Sequence, residues 1–102
     1  MPSLFQLLIE NPNFKTLDHS NLKVCITAAA PFPEDSQKKL ESVVGQGKLV
    51  ECYGMTETAP LTTMNPYRGK KKLGSIGLPL LNTDLKLVDP STGNVMGIEE
   101  PG

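Results

Sequence analysis

Leu4, Phe5, Leu7, Leu8 and Ile9 crowd apolar side chains around more than one face of the first turns. The spacing predicts a helix over about residues 3–10 with a broader apolar face than a surface helix needs. Asn11-Pro12 ends it, because the residue before proline is pushed out of helical backbone. Leu17 to Leu22 reads as a turn whose Asp18, Ser20 and Asn21 can bond their own backbone. Lys23 to Ala28 is rich in β-branched and apolar types and predicts a buried strand. A helix is expected after Pro33. Glu34 and Asp35 suit the positive end of its dipole, Leu40, Val43 and Val44 form its inner stripe, and Gly45 or Gly47 ends it. Lys48 to Tyr53 predicts a second strand.

Beyond residue 60 the periodicity changes. Leu73 to Leu81 carries Gly74, Gly77 and Pro79 and reads as a bent or edge strand. Leu85-Lys86-Leu87-Val88 alternates and is expected to be half-buried. Asp89-Pro90-Ser91-Thr92-Gly93 then predicts a turn that returns the chain through Asn94-Val95-Met96 as a hairpin. The expected architecture is α/β: a small mixed sheet with one parallel β-α-β unit and a β-rich C-terminal part. Residues 1–59 would form the α/β part and 60–102 the β-rich part of a single unit. If the strands flanking the central helix share a sheet, their connection should be right-handed.

Composition narrows the class. At 102 residues, with 38% hydrophobic and 21% charged, the chain fits one soluble domain with a modest core. The net charge of -1 gives no bulk attraction to nucleic acid. Nine prolines and nine glycines point to short elements and many loops. No apolar run is long enough to span a bilayer, and the start carries no secretory pattern. Cys25 and Cys52 form no CxxC and read as small buried apolar residues in a reducing compartment. A cytoplasmic placement is expected. The apolar first helix leaves a membrane-peripheral one open, although it lacks a basic polar face and packing on a sheet suits it better.

Candidate chemistry gathers on two loops that leave the expected strands at their C-terminal ends, where α/β sheets bind ligands. Ala28-Ala29-Ala30-Pro31 offers backbone groups and room for a planar ligand. In Tyr53-Gly54-Met55-Thr56-Glu57-Thr58, the Tyr53 ring can stack on a base and Gly54 lets backbone approach a ligand. Thr56 and Thr58 offer hydroxyls to phosphate, and Glu57 is a hard carboxylate suited to Mg²⁺. Each residue also has a plainer role. Tyr53 fits a core aromatic with its hydroxyl outside, and Thr56 and Glu57 fit a solvated cap. Spacing alone does not separate the two.

Four segments in order resemble the adenylate-forming enzymes, the superfamily of acyl-CoA synthetases, luciferases and peptide-synthetase adenylation domains. Residues 53–58 resemble its YGxTE signature. Thr27-Ala28-Ala29-Ala30-Pro31-Phe32-Pro33 resembles S-G-[GA]-A-P-L-P, and Gly74 to Pro79 resembles G-S-[VI]-G-x-P. Leu87 to Gly93 resembles the I-V-D-P-x-T-G hairpin. The similarity is greatest to the fatty-acyl-CoA ligase branch. It implies a parent enzyme that uses ATP, Mg²⁺ and CoA to activate a medium- or long-chain fatty acid or another carboxylate. It implies that Tyr53 stacks on adenine, Thr56 bonds the α-phosphate and Glu57 holds Mg²⁺. Ala29, Ala30, Pro31 and Gly54 would line the nucleotide pocket through backbone.

Two positions depart from the pattern: Ala28 and Cys52 stand where the family often has glycine. The resemblance also implies an upstream phosphate loop with its lysine, a ribose-gripping aspartate, a hinge and a C-terminal domain, none of which this sequence shows. The chain is therefore expected to be an excised subdomain, catalytically silent alone and prone to self-association. Rival readings are a non-enzymatic nucleotide or acyl-adenylate binding module and a purely structural, self-associating domain. Arg68 with Lys70-Lys71-Lys72 reads as a solvated loop face, and His19, the one histidine, as a turn residue.

Overall fold

The computed structural model describes residues 1–101. Helix α1 (Pro2–Glu10) opens with proline, whose missing N–H costs nothing in a first turn. Asn11 closes it by donating its N–H to the carbonyls of Leu7 and Leu8. Asn11 also starts a second helix. Its backbone is extended, Pro12 takes the first helical position, and its side chain accepts the Asn13 N–H at 2.9 Å. The expected stop is thus a stop and a restart, giving the short helix α2 (Pro12–Thr16).

Strand β1 (Cys25–Thr27), helix α3 (Glu34–Val44) and strand β2 (Leu49–Tyr53) form the expected β-α-β unit. The strands are parallel, with Cys25, Ile26 and Thr27 opposite Leu49, Val50 and Glu51. β1 is shorter than its sequence suggests. Gly45, at φ +111, ends α3. Glu41 Oε1 then accepts the N–H groups of Gly47 at 2.9 Å and Leu49 at 3.2 Å, which ties the helix end to the start of β2. The buried stripe of α3 is Gln37, Leu40 and Val44, not the Leu40, Val43 and Val44 that hydrophobicity selects. Val43 is only partly covered and an amide takes the third place.

Strands β3 (Thr63–Met64) and β4 (Leu78–Pro79) add antiparallel neighbours and complete a four-stranded mixed sheet in the order β1-β2-β3-β4. Only Leu78–Pro79 of the stretch expected as a bent strand over 73–81 is strand; the rest is turn and irregular backbone, with Gly74 and Gly77 at positive φ. The core is Phe32, Leu40, Val44 and Leu49, lined by Phe5, Ile9, Phe14, Leu22, Cys25 and Val43. It lies between the helices and one face of the parallel pair. α1 reaches it through Phe5, whose ring stacks on Phe32 at 6.0 Å between centroids.

The hairpin after residue 85 is held by one bridge, Val88 to Val95, and by the Asp89 turn. The Asp89 carboxylate accepts the Ser91 N–H at 2.8 Å and the Thr92 hydroxyl at 2.9 Å. These bonds, the Ser91 backbone first, hold its pKa below the ordinary value. Leu85 and Leu87, the apolar face of that alternation, are 47% and 51% exposed, so the face expected to be covered is open. The hairpin stands away from the core. The radius of gyration is 15.8 Å, against about 13 Å for a compact domain of this size. Among the described residues no helix is long and apolar enough to cross a membrane.

Candidate functional site

Parallel pairing sends β1 and β2 out of the sheet at the same end, so the loops that follow them meet. Between them lies a cleft of about 490 Å³, within the range of small-molecule pockets. The first loop contributes Ala29, Ala30 and Pro31, and β2 with its loop contributes Glu51, Cys52, Tyr53 and Gly54. Gly74 and Ile76 close the third side. The antiparallel pairing of β3 with β4 brings that segment into place.

The first loop bends sharply. Ala29 sits at φ +72, in the left-handed region that side chains other than glycine rarely enter. Such conformations persist only where the surrounding structure over-determines them, and they concentrate at functional sites. Two residues earlier, Thr27 is fully buried and its hydroxyl has no hydrogen-bond partner among the described residues.

The second loop is packed as tightly as backbone allows. Gly54 lies directly against the Pro60 carbonyl and the Leu61 Cα. The Thr62 N–H returns to the Tyr53 carbonyl at 2.9 Å, closing the loop on itself. Within it, Thr56–Thr58 make a single 3-10 turn. Thr58 is committed to this turn: its hydroxyl accepts the Met55 N–H at 3.0 Å and the Thr62 hydroxyl at 3.0 Å. The Thr56 and Glu57 side chains are exposed and are not drawn into the turn's hydrogen bonds. They stand beyond the cleft rather than in its lining. Tyr53 is 40% exposed on the cleft wall rather than sunk in the core.

Glu51 was not singled out from sequence, nor was the cleft-lining role of Gly74 and Ile76. Glu51 sits in the middle of a strand, where nothing in the local pattern marks it. Its carboxylate accepts a bond from the buried Gln37 amide at 3.0 Å.

The remaining chemistry-bearing residues are structural. Burial pushes the Cys52 thiol up, helped by the nearby Glu51 charge, and burial also raises Cys25 against the opposing Lys48. Both therefore stay protonated and weakly nucleophilic at neutral pH. The His19 ring packs tilted against Phe14, with centroids 4.7 Å apart, and its Nε2 lies 2.8 Å from the Phe14 carbonyl. Lys71 of the basic run donates to the carbonyls of Gly47 and Tyr67. Among the described residues no three potential ligands cluster to enclose a metal.

The sequence matches the family described as AMP-binding enzyme over residues 1–102. The chain belongs to that family. A long-chain-fatty-acid–CoA ligase of Bacillus subtilis is 38% identical over 101 residues, covering 99% of this chain and 18% of the relative. A 4-coumarate-CoA ligase of Narcissus pseudonarcissus is 33% identical over 106 residues, covering 100% and 19%. Among solved structures, ATP-bound MatB from Rhodopseudomonas palustris superposes with a TM-score of 0.88 at 27% identity, over 97% of this chain and 19% of that one. A long-chain-fatty-acid-CoA ligase from Archaeoglobus fulgidus gives 0.82 at 28% identity, over 98% and 22%. The chain thus spans about a fifth of the length of these AMP-binding relatives, and its mixed α/β fold is that of acyl-CoA ligases.

Proposed function

We propose that this chain forms part of the nucleotide site of an ATP-dependent acyl-CoA ligase acting on a medium- or long-chain fatty acid. The observation that carries the reading is the cleft itself: both candidate loops line it, in a chain of the AMP-binding family. In the reaction a carboxylate oxygen attacks the α-phosphorus of ATP. The bond to the β-phosphate oxygen breaks, and acyl-AMP and pyrophosphate form. The CoA thiol then attacks the acyl carbonyl, losing its proton to solvent, and AMP leaves as the thioester forms.

The residues take the following parts. Tyr53 presents its ring to adenine from the cleft wall, and Ala29, Ala30, Pro31 and Gly54 let backbone approach the nucleotide. Thr56, whose side chain the turn does not use, donates its hydroxyl to the α-phosphate. Glu57 fits Mg²⁺, because a lone exposed carboxylate suits an ion that keeps most of its water and shares phosphate oxygens. Mg²⁺ would supply neutralisation of charge developing on the phosphates.

Glu57→Ala in the intact ligase is expected to lower the rate of adenylation about 10²-fold or more, as loss of a key charge-stabilising group does. Pyrophosphate release reads this directly. Stability should change by less than about 1 kcal/mol, since nothing in the fold leans on this side chain. A stability loss with the rate unchanged would make Glu57 a cap and defeat the assignment. In calorimetry the chain alone should give no heat with ATP and Mg²⁺. Micromolar binding that Glu57→Ala abolishes would instead make it a self-sufficient nucleotide-binding module.

The isolated chain should also self-associate. Leu4, Leu7 and Ile26 are exposed, and β1, at one end of the sheet order, offers an open edge. Light scattering over a concentration series should show mass rising above the monomer, and a constant monomer mass would refute this.

A further inference from the structure

Gln37 is the one polar residue in the buried stripe of α3, 1% exposed between the loop of Phe32 and strand β2. An aliphatic side chain would serve the core equally well, as Leu40 and Val44 do. A buried amide is costly unless its hydrogen bonds are made. Here they are made across the gap between the two walls of the cleft. Gln37 Nε2 donates to the Phe32 carbonyl at 2.7 Å and to Glu51 Oε2 at 3.0 Å. Phe32 directly follows Pro31, the last lining residue of the first loop. Glu51 lines the cleft itself, two residues before Tyr53. One amide therefore clamps both walls from behind, and the bond to a carboxylate is the stronger, charge-assisted kind.

We infer that Gln37 is a positioning residue: by bridging Phe32 and Glu51 it sets the spacing of the Ala29–Pro31 loop against the Tyr53 wall, and so the fit of the adenine. This rests on the nucleotide reading of the cleft. Gln37 touches no ligand and acts only through the two groups it holds. Both of its partners are acceptors, so a donor with two N–H groups is needed and a carboxylate would not serve.

Gln37→Met tests this, because it preserves the length and apolar stem while removing both bonds. In the intact ligase KM for ATP should rise about tenfold, the loss expected when a charge-assisted bond is broken, with kcat changing less. A merely structural role predicts the opposite split: a smaller active fraction, hence lower apparent kcat, at unchanged KM. That result would overturn the proposal. In the 102-residue chain, ¹⁵N order parameters at Ala28, Ala29 and Ala30 should fall in the variant while those of α3 hold. Unchanged loop order would also overturn it. If the unsubstituted ligase forms no acyl-adenylate from any fatty acid while the loops still loosen in Gln37→Met, the catalytic reading has failed and the clamp has not.

Discussion

Gly54→Ala should be among the most damaging single methyl additions to this fold. A Cβ at residue 54 would fall far inside van der Waals contact with the Pro60 carbonyl oxygen and 2.8 Å from the Leu61 Cα. Both obstacles are backbone, so no side chain can rotate away. The loop from 54 to 60 would have to open, and with it the bond from the Thr62 N–H to the Tyr53 carbonyl. Overpacking of this kind costs about 1–3 kcal/mol, and the rigid obstacle puts Gly54→Ala at the upper end. A urea midpoint followed by far-UV circular dichroism reads the loss. Heteronuclear spectra should show the largest shifts at Tyr53, Leu61 and Thr62. A midpoint within error of the unsubstituted chain would mean that the loop is not packed as described. On the nucleotide reading proposed for the cleft, the same change should also weaken ATP binding in the intact protein, since Tyr53 and Gly54 share the cleft wall.

How much of this was legible in the sequence follows from what kind of force places each residue. The β-α-β unit was legible because its strands are short runs rich in apolar and β-branched residues and its helix carries an inner apolar stripe, although Ile26 of β1, expected to be buried, is exposed. The meeting of the two loops was legible too, because parallel strands must release their loops at one end. Gln37 was not. A buried amide at a core position looks like a surface residue until its partners, one of them fourteen residues away, are in view. The third wall at Gly74 and Ile76 was equally hidden, because the pairing of β3 with β4 rests on two residues a side. Leu85 and Leu87 failed for another reason. Alternation says that a face is apolar, but it does not say what covers that face.

The family pattern placed the unusual small residue of the first loop at Ala28, where glycine is the common choice. The strained backbone is one step on, at Ala29. Nothing in the motif announced that bend, and only the dihedral angle identifies the alanine that bears it. The roles proposed for Thr56 and Glu57 illustrate a different limit. Their side chains are left free by the turn that carries them, and this freedom suits phosphate and metal recognition. Thr58, with the same hydroxyl, is spent on the turn itself.

Gly77→Ala should be at least as disruptive as Gly54→Ala, and for two reasons that can be separated experimentally. Gly77 sits at φ +87, and a Cβ there would run into the Met64 carbonyl group of β3 and the nitrogen of Asn65 just beyond it. Gly74, three residues earlier, shares the positive angle at φ +72 but has nothing within 4 Å of its added carbon. Gly74→Ala therefore carries the backbone strain alone, about 1 kcal/mol. Gly77→Ala adds to that strain the overpacking cost, for about 3 kcal/mol or more together. The collision lies on the β3–β4 pairing, which is anchored by the Thr63 hydroxyl on the Ile76 carbonyl at 2.9 Å and the Leu80 N–H on the Thr62 carbonyl at 2.9 Å. Loss of this pairing withdraws Gly74 and Ile76 from the cleft while leaving the β-α-β unit in place. Denaturation midpoints of the two variants, with amide exchange at residues 76–80, separate the causes. Equal losses in both would attribute everything to backbone strain and remove the close approach to β3 from the account. A much larger loss in Gly77→Ala, with exchange rising at 76–80 and α3 still protected, would show that the third wall of the cleft depends on one position having no side chain.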